Sequence, residues 1–147
     1  MDERPALLVS ACLLGTCCNH EGNHSRRAAV EALAAEYRLV PICPEVAGGL
    51  TTPRAAAELT GDGRVVTAAG DDVTLEYERG ARAAVELAAA VGARRAVLKA
   101  RSPSCGAHAV YDGTFTRTLR DGEGMTAAAL RAAGVTVQSE EDVATAP

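Results

Sequence analysis

Apolar runs of four or five residues recur along this chain, each followed by a loop rich in Gly, Pro, Ser or Asn, and between them lie stretches whose apolar positions repeat at helical spacing. Short runs bounded by turn residues predict buried strands, and a 3.6-residue repeat predicts helices. The runs are Ala6-Leu7-Leu8-Val9-Ser10, Leu39-Val40-Pro41-Ile42 and Arg95-Ala96-Val97-Leu98-Lys99, with residues 135–137 as a last strand and residues 64–67 as a short additional one. Over residues 26–37, Ala29, Val30, Leu33, Ala34 and Tyr37 share a helical face, and Ser25 stands where an N-cap belongs. A second helix over Thr74–Val91 carries Val73, Tyr77, Ala81, Ala84, Ala88 and Val91 on one stripe, with capping oxygens from Asp71, Asp72 and Thr74 and Gly92 as its stop. A third helix over residues 125–133 ends at Gly134. Two prolines and paired glycines predict that residues 43–54 form a shaped loop without regular structure. The order of elements predicts an α/β fold, three-layered, with a mainly parallel sheet, helices on both faces and a single domain over residues 1–147.

Length and charge narrow the function. A chain of 147 residues buries about two-thirds of its unfolded surface and needs no disulfide staple. A net charge of -4 argues against a general polyanion binder. The four aromatics, Tyr37, Tyr77, Tyr111 and Phe115, leave few platforms for stacking single-stranded nucleic acid. An RNA partner is therefore disfavoured, although net charge alone does not exclude one. The start, Met1-Asp2-Glu3-Arg4-Pro5, has neither a basic region nor a sustained apolar one. No apolar stretch approaches the 18 or so residues that cross a bilayer. The expectation is a cytoplasmic protein whose five cysteines stay reduced, and an odd count turns attention to metal binding or reactivity.

Cys12, Cys43 and Cys105 each follow the carboxyl end of an apolar run. If those runs are parallel strands of one sheet, the thiols emerge on one edge, where open α/β sheets place their ligand crevice. Buried structural cysteines are common, but three at equivalent strand ends favour a metal centre. Soft thiolates suit an iron-sulfur cluster bound through three of its four irons, leaving the fourth open to a substrate sulfur; zinc with three thiolates and a water is the competitor. Adjacent Cys17 and Cys18 are poorly spaced to send both thiolates to one metal, though one of them could reach the site. Glu45, held near Cys43 by the intervening Pro44, is a candidate general acid or base. Ser102 and Ser104 flank Pro103 and are candidates to bond a heteroatom, while Lys99 and Arg54 are candidates to offset thiolate charge. His20 and His24 read as members of a polar solvent loop, and His108 as a weak candidate near the third thiol.

Ser10-Ala11-Cys12-Leu13-Leu14-Gly15, Cys43-Pro44-Glu45-Val46-Ala47-Gly48-Gly49-Leu50 with Pro53-Arg54, Asp72-Val73-Thr74, Leu98-Lys99 with Ser102-Pro103-Ser104-Cys105-Gly106, Tyr111-Asp112-Gly113-Thr114-Phe115 and Ser139-Glu140-Glu141 together resemble the DUF523 family, which includes the thiouracil desulfidases. The resemblance runs from Ser10 to Glu141. It implies a [4Fe-4S] cluster on Cys12, Cys43 and Cys105, catalytic roles for Glu45 and Ser102, and a small thiolated nucleobase such as 2-thiouracil as substrate. It further implies non-redox desulfuration giving the oxo base and hydrogen sulfide; the competing readings are desulfuration of thiolated nucleosides in tRNA and a non-catalytic cluster or zinc module. The first loop departs from the family's usual Arg-Tyr-Asp-Gly, reading Asn19-His20-Glu21-Gly22, and Cys18 stands where the family requires no cysteine.

Overall fold

The structure is a computed structural model that describes residues 2–144. Its centre is a four-stranded parallel sheet of β1 (Ala6–Ser10), β2 (Arg38–Ile42), β5 (Arg95–Leu98) and β8 (Thr136–Ser139), in the order β2-β1-β5-β8. Leu7 stands opposite Leu39 on one side and Arg95 on the other. β1 is buried along its whole length, as expected for a strand covered on both faces.

Alternate residues of β1 supply two separate cores. Ala6 and Leu8 pack with α3 (Thr74–Val91) and α4 (Met125–Ala132) through Ala84, Ala88, Ala127 and Leu130. Leu7 and Val9 face α1 (Ala28–Glu31) and α5 (Glu140–Ala144) through Val30, Leu33, Tyr37 and Val143. The three-layer expectation is met, with α3 and α4 on one face and α1 and α5 on the other. Small alanines on α3 and α4 let those helices lie close together and against the sheet.

Several local expectations fail for identifiable reasons. The helix expected over residues 26–37 is a single α-turn, α1, continued by 3₁₀ turns over Ala32–Ala35. Its N-cap is Arg27, not Ser25, and no side chain caps it; the Ser25 N–H instead donates to the Cys12 carbonyl at 2.9 Å, tying that segment to the first thiol loop. Residues 43–54 contain a short helix, α2 (Pro44–Ala47), because a proline in the first turn loses no helical hydrogen bond. Asp72 does serve the start of α3, accepting the Thr74 N–H at 2.9 Å, but Asp71 does not: its carbonyl closes the preceding turn on the Thr67 N–H. The strand near residue 65 is present as β4 (Val65–Thr67), paired antiparallel with β3 (Ala57–Leu59) outside the main sheet. A further hairpin joins β6 (Ala109–Tyr111) to β7 (Leu119–Asp121).

Two glycines fix α2 onto α3. A Cβ on Gly48 would lie 1.9 Å from the Glu76 carbonyl oxygen, and one on Gly80 would lie 2.0 Å from the Pro44 carbonyl oxygen. Backbone meets backbone there, and Cys43 and Glu45 are positioned by that contact.

Candidate active site

The chain leaves β1 toward β2 on one side and later reaches β5 on the other, so the strand order reverses at β1, where the loops diverge and open a crevice. A cavity of about 560 Å³ fills it. Cys12 lies in the 3₁₀ turn Ala11–Leu14 after β1, Cys43 immediately precedes α2, and Cys105 ends the turn after β5; all three line this cavity together with Glu45 and Ser102. The structure thus brings together the three candidate thiol ligands and the two candidate catalytic residues of the sequence reading.

The thiols share the cavity without converging on a point. Among the described residues, no three His, Cys, Asp or Glu side chains are grouped closely enough to hold one metal ion. Burial, followed by the charges of Glu45 and Cys43, pushes the Cys12 thiol up to about 11, against a downward pull from Lys99. Burial likewise raises Cys105 well above the usual thiol range, with Glu45 and the other thiols adding to it and a hydrogen bond to Ser10 opposing. Thiols and a carboxylate packed this closely become anionic together only when a strongly cationic centre compensates them. Three thiol sulfurs lining one cavity fit an iron-sulfur centre, the class that soft thiolate ligands select.

The Glu45 side chain is 14% exposed and lies 3.5 Å from Arg54. Burial raises its carboxyl above the ordinary range, and Arg54 acts in the opposite sense. Arg54, itself 7% exposed in its side chain, also donates to the Thr51 carbonyl, the Thr52 hydroxyl and the Cys18 carbonyl, and so clamps the first loop against the second. Ser102 Oγ accepts the N–H groups of Ser104 at 3.1 Å and Cys105 at 3.0 Å. The hydroxyl therefore shapes the turn that presents Cys105, and its own proton remains available to donate.

The remaining candidates divide between the cavity and other parts of the molecule. Ser104 is fully buried and bonds Thr126 of α4 at 2.7 Å, away from the cavity. His108 pairs with Asp142 at 2.7 Å on an exposed face and does not line the cavity. His20 reaches the cavity rim, whereas His24 does not, its Nδ1 accepting the Arg26 N–H at 3.1 Å. Lys99 does line the cavity and is ion-paired at 3.1 Å with Glu140, which is 3% exposed. Glu140 also accepts the Ala100 N–H at 2.7 Å, fixing the second residue beyond β5. Sequence reasoning did not assign Ser10 or Tyr77 to the site, yet both line it; of the adjacent pair Cys17 and Cys18, of which one could reach the site, it is Cys18 that lines it, whereas Cys17 is exposed. Ser10, the last residue of β1, carried a positional signal; Tyr77 was legible only as a core position.

The fold and site define an α/β protein with thiols, a buried carboxylate and its paired arginine gathered in the crevice at the sheet's reversal point. The chain belongs to the 2-thiouracil desulfurase family, whose profile it matches over residues 7–142. It is 40% identical over 146 residues to an uncharacterized protein, YbbK, of Bacillus subtilis (strain 168), covering 93% of this chain and 97% of that one. It also superposes, with a TM-score of 0.88 and 46% identity, on a solved structure described as the [4Fe-4S]-dependent thiouracil desulfidase TudS (DUF523Vcz); the match covers 95% of this chain and 93% of that chain. Among the described residues no helix is long and apolar enough to cross a membrane.

Proposed function

We propose that this chain removes sulfur from a small thiolated nucleobase such as 2-thiouracil, using a [4Fe-4S] cluster held by Cys12, Cys43 and Cys105. The observation that carries this reading is that three thiols from three strand ends line one cavity with a buried carboxylate. In balance, the thiocarbonyl carbon gains the oxygen of water, its bond to sulfur breaks and hydrogen sulfide leaves, with no net transfer of electrons. When bound, the cluster would supply an iron free of protein ligands, a thiophilic Lewis acid for the substrate's sulfur.

The protein's own groups supply the rest. Glu45, with its affinity for a proton raised by burial, takes one from the attacking water and returns it to the departing sulfur. Arg54 opposes that rise and holds the carboxyl group in place. The Ser102 hydroxyl donates toward the ring heteroatom on which charge develops. Lys99, anchored by Glu140, places a positive charge beside Cys12.

The test is analysis of protein purified without oxygen, paired with sulfide release from 2-thiouracil. Close to four irons and four acid-labile sulfides per chain, with sulfide and uracil formed in equal amounts, is the expected result. Stoichiometric zinc without labile sulfide overturns it.

A further inference from the structure

Tyr77 is 4% exposed, and it packs with Leu59, Val65 and Val110, with Val73 and Met125 at the edge of that cluster. Phenylalanine would fill the same space. The hydroxyl adds nothing to the packing, and a hydroxyl withdrawn from water without a partner costs free energy. Among the described residues it has no hydrogen-bond partner, yet the fully enclosed polar atoms in that condition are Arg120 Nε and Glu140 Oε2, and the Tyr77 oxygen is not one of them. Tyr77 lines the cavity, so the cavity is the side on which its hydroxyl is open.

The contact that seats α2 on α3 also sets this position. Tyr77 follows Glu76, whose carbonyl oxygen a Cβ on Gly48 would meet, and lies three residues before Gly80, whose own Cβ would meet Pro44. Tyr77 and Glu45 thus stand on two helices in backbone contact, and both line the cavity together with Ser102. The cationic side chains of the cavity wall are engaged, Arg54 with Glu45, Lys99 with Glu140 and Arg101 with Glu141. The Tyr77 phenol is not, and a phenol, with a pKa of about 10 in water, is a protonated donor at neutral pH.

A thiouracil carries, besides its sulfur, a carbonyl oxygen across one ring nitrogen that desulfuration leaves untouched. We propose that Tyr77 is a substrate-binding residue whose hydroxyl donates a hydrogen bond to this retained oxygen, so that the site selects thiolated bases that carry it. The proposal rests on the desulfuration reading given above and names what that site recognises. An analogue without the oxygen leaves the buried donor unpaired, and polar sites discriminate most strongly in that way. No bond is made or broken at Tyr77.

The experiment compares cluster-loaded, full-length parent and Tyr77→Phe without oxygen, using 2-thiouracil and pyrimidine-2-thione, which lacks the second oxygen. Iron, labile sulfide and the thermal transition should be the same in both proteins. In Tyr77→Phe the KM for 2-thiouracil should rise about tenfold with kcat within about twofold, the pattern of lost uniform binding. Pyrimidine-2-thione should be a poor substrate, and equally poor for both proteins. Calorimetric titration with uracil, which keeps the oxygen and is not turned over, should show the same weakening in Tyr77→Phe. An equal fall with both thiones means that the ring only shapes the cavity and overturns the proposal. So do an unchanged KM for 2-thiouracil, a loss confined to kcat, and a uracil affinity that is unchanged or absent in the parent. Should Tyr77→Phe fail to fold, the parent alone decides: similar KM values for the two thiones overturn the proposal, and a preference of about tenfold or more for 2-thiouracil supports it. A cluster-loaded parent that releases no sulfide from 2-thiouracil refutes the desulfuration reading instead, and the uracil titration still decides the role of Tyr77.

Discussion

Glu45 and Ser102 reach the same cavity but are held differently, and the difference sets what each substitution should do. Glu45 stands on α2 with its carboxylate 3.5 Å from Arg54, whereas the Ser102 oxygen is already engaged by two backbone N–H groups. Glu45→Gln preserves shape and removes the transferable proton. It should therefore retain iron and labile sulfide yet slow sulfide release roughly a hundredfold or more, the scale of losing a positioned acid-base group. Anaerobic turnover normalised to cluster content checks this, and activity within a few-fold of the parent would assign the carboxylate a structural role. At this scale, the thiol positions were legible in the sequence because strand ends have fixed geometry. Which of Cys17 and Cys18 reaches the cavity was not, because the loop that presents Cys18 is held at its carbonyl by Arg54, 36 residues away in the chain, a contact that no local pattern encodes. Ser104 shows the converse: it sits in the same Ser-Pro-Ser turn as Ser102, but the turn directs it toward Thr126.

Among the elements, the long helices and the parallel strands follow from periodicity, and α3 occupies the expected residues Thr74–Val91. The short elements do not, since tertiary contacts outweigh local preference over a single turn. α2 is the case with functional weight, because it carries Cys43 at its start and Glu45 in its first turn and is seated on α3 at Gly48 and Gly80. Gly80→Ala gains about 1 kcal/mol of helix propensity. The new Cβ, however, would stand 2.0 Å from the Pro44 carbonyl oxygen, so α2 must move. Overpacking of this kind costs on the order of 1–3 kcal/mol, and the displacement reaches Glu45. The variant should unfold at lower temperature and lose sulfide release more than its stability loss explains. Gly61→Ala, whose Cβ would meet nothing within 4 Å, should leave both unchanged. Thermal melts and turnover of the two variants check the pair, and an unperturbed Gly80→Ala would mean that the α2–α3 contact does not position the carboxylate.

Across the whole molecule, the thiols are tied to both layers of the fold. Cys12 and Cys18 pack with the core under α1 and α5, whereas Cys105 packs with the core under α3 and α4. A shared centre on Cys12, Cys43 and Cys105 would therefore join the two layers at one edge of the sheet. The sheet does not depend on that join, because β1 pairs with β2 and β5 along its length and each face has its own apolar cluster. Removing iron with a chelator under anaerobic conditions should thus leave the secondary structure in place while lowering the unfolding temperature. A centre bound even a hundredfold above its dissociation constant contributes about 2.7 kcal/mol. For a chain of this size that corresponds to a fall of roughly 5–10 °C. Circular dichroism of iron-free protein measures the first part and its thermal transition the second. If the helical signal collapses on chelation, the three loops are organised by the centre rather than presented ready-made by the sheet, and the preformed cavity is not the state in which the centre is acquired. A retained fold with a lowered transition means that the crevice exists before it is filled, as the packing of its three loops on two complete cores requires.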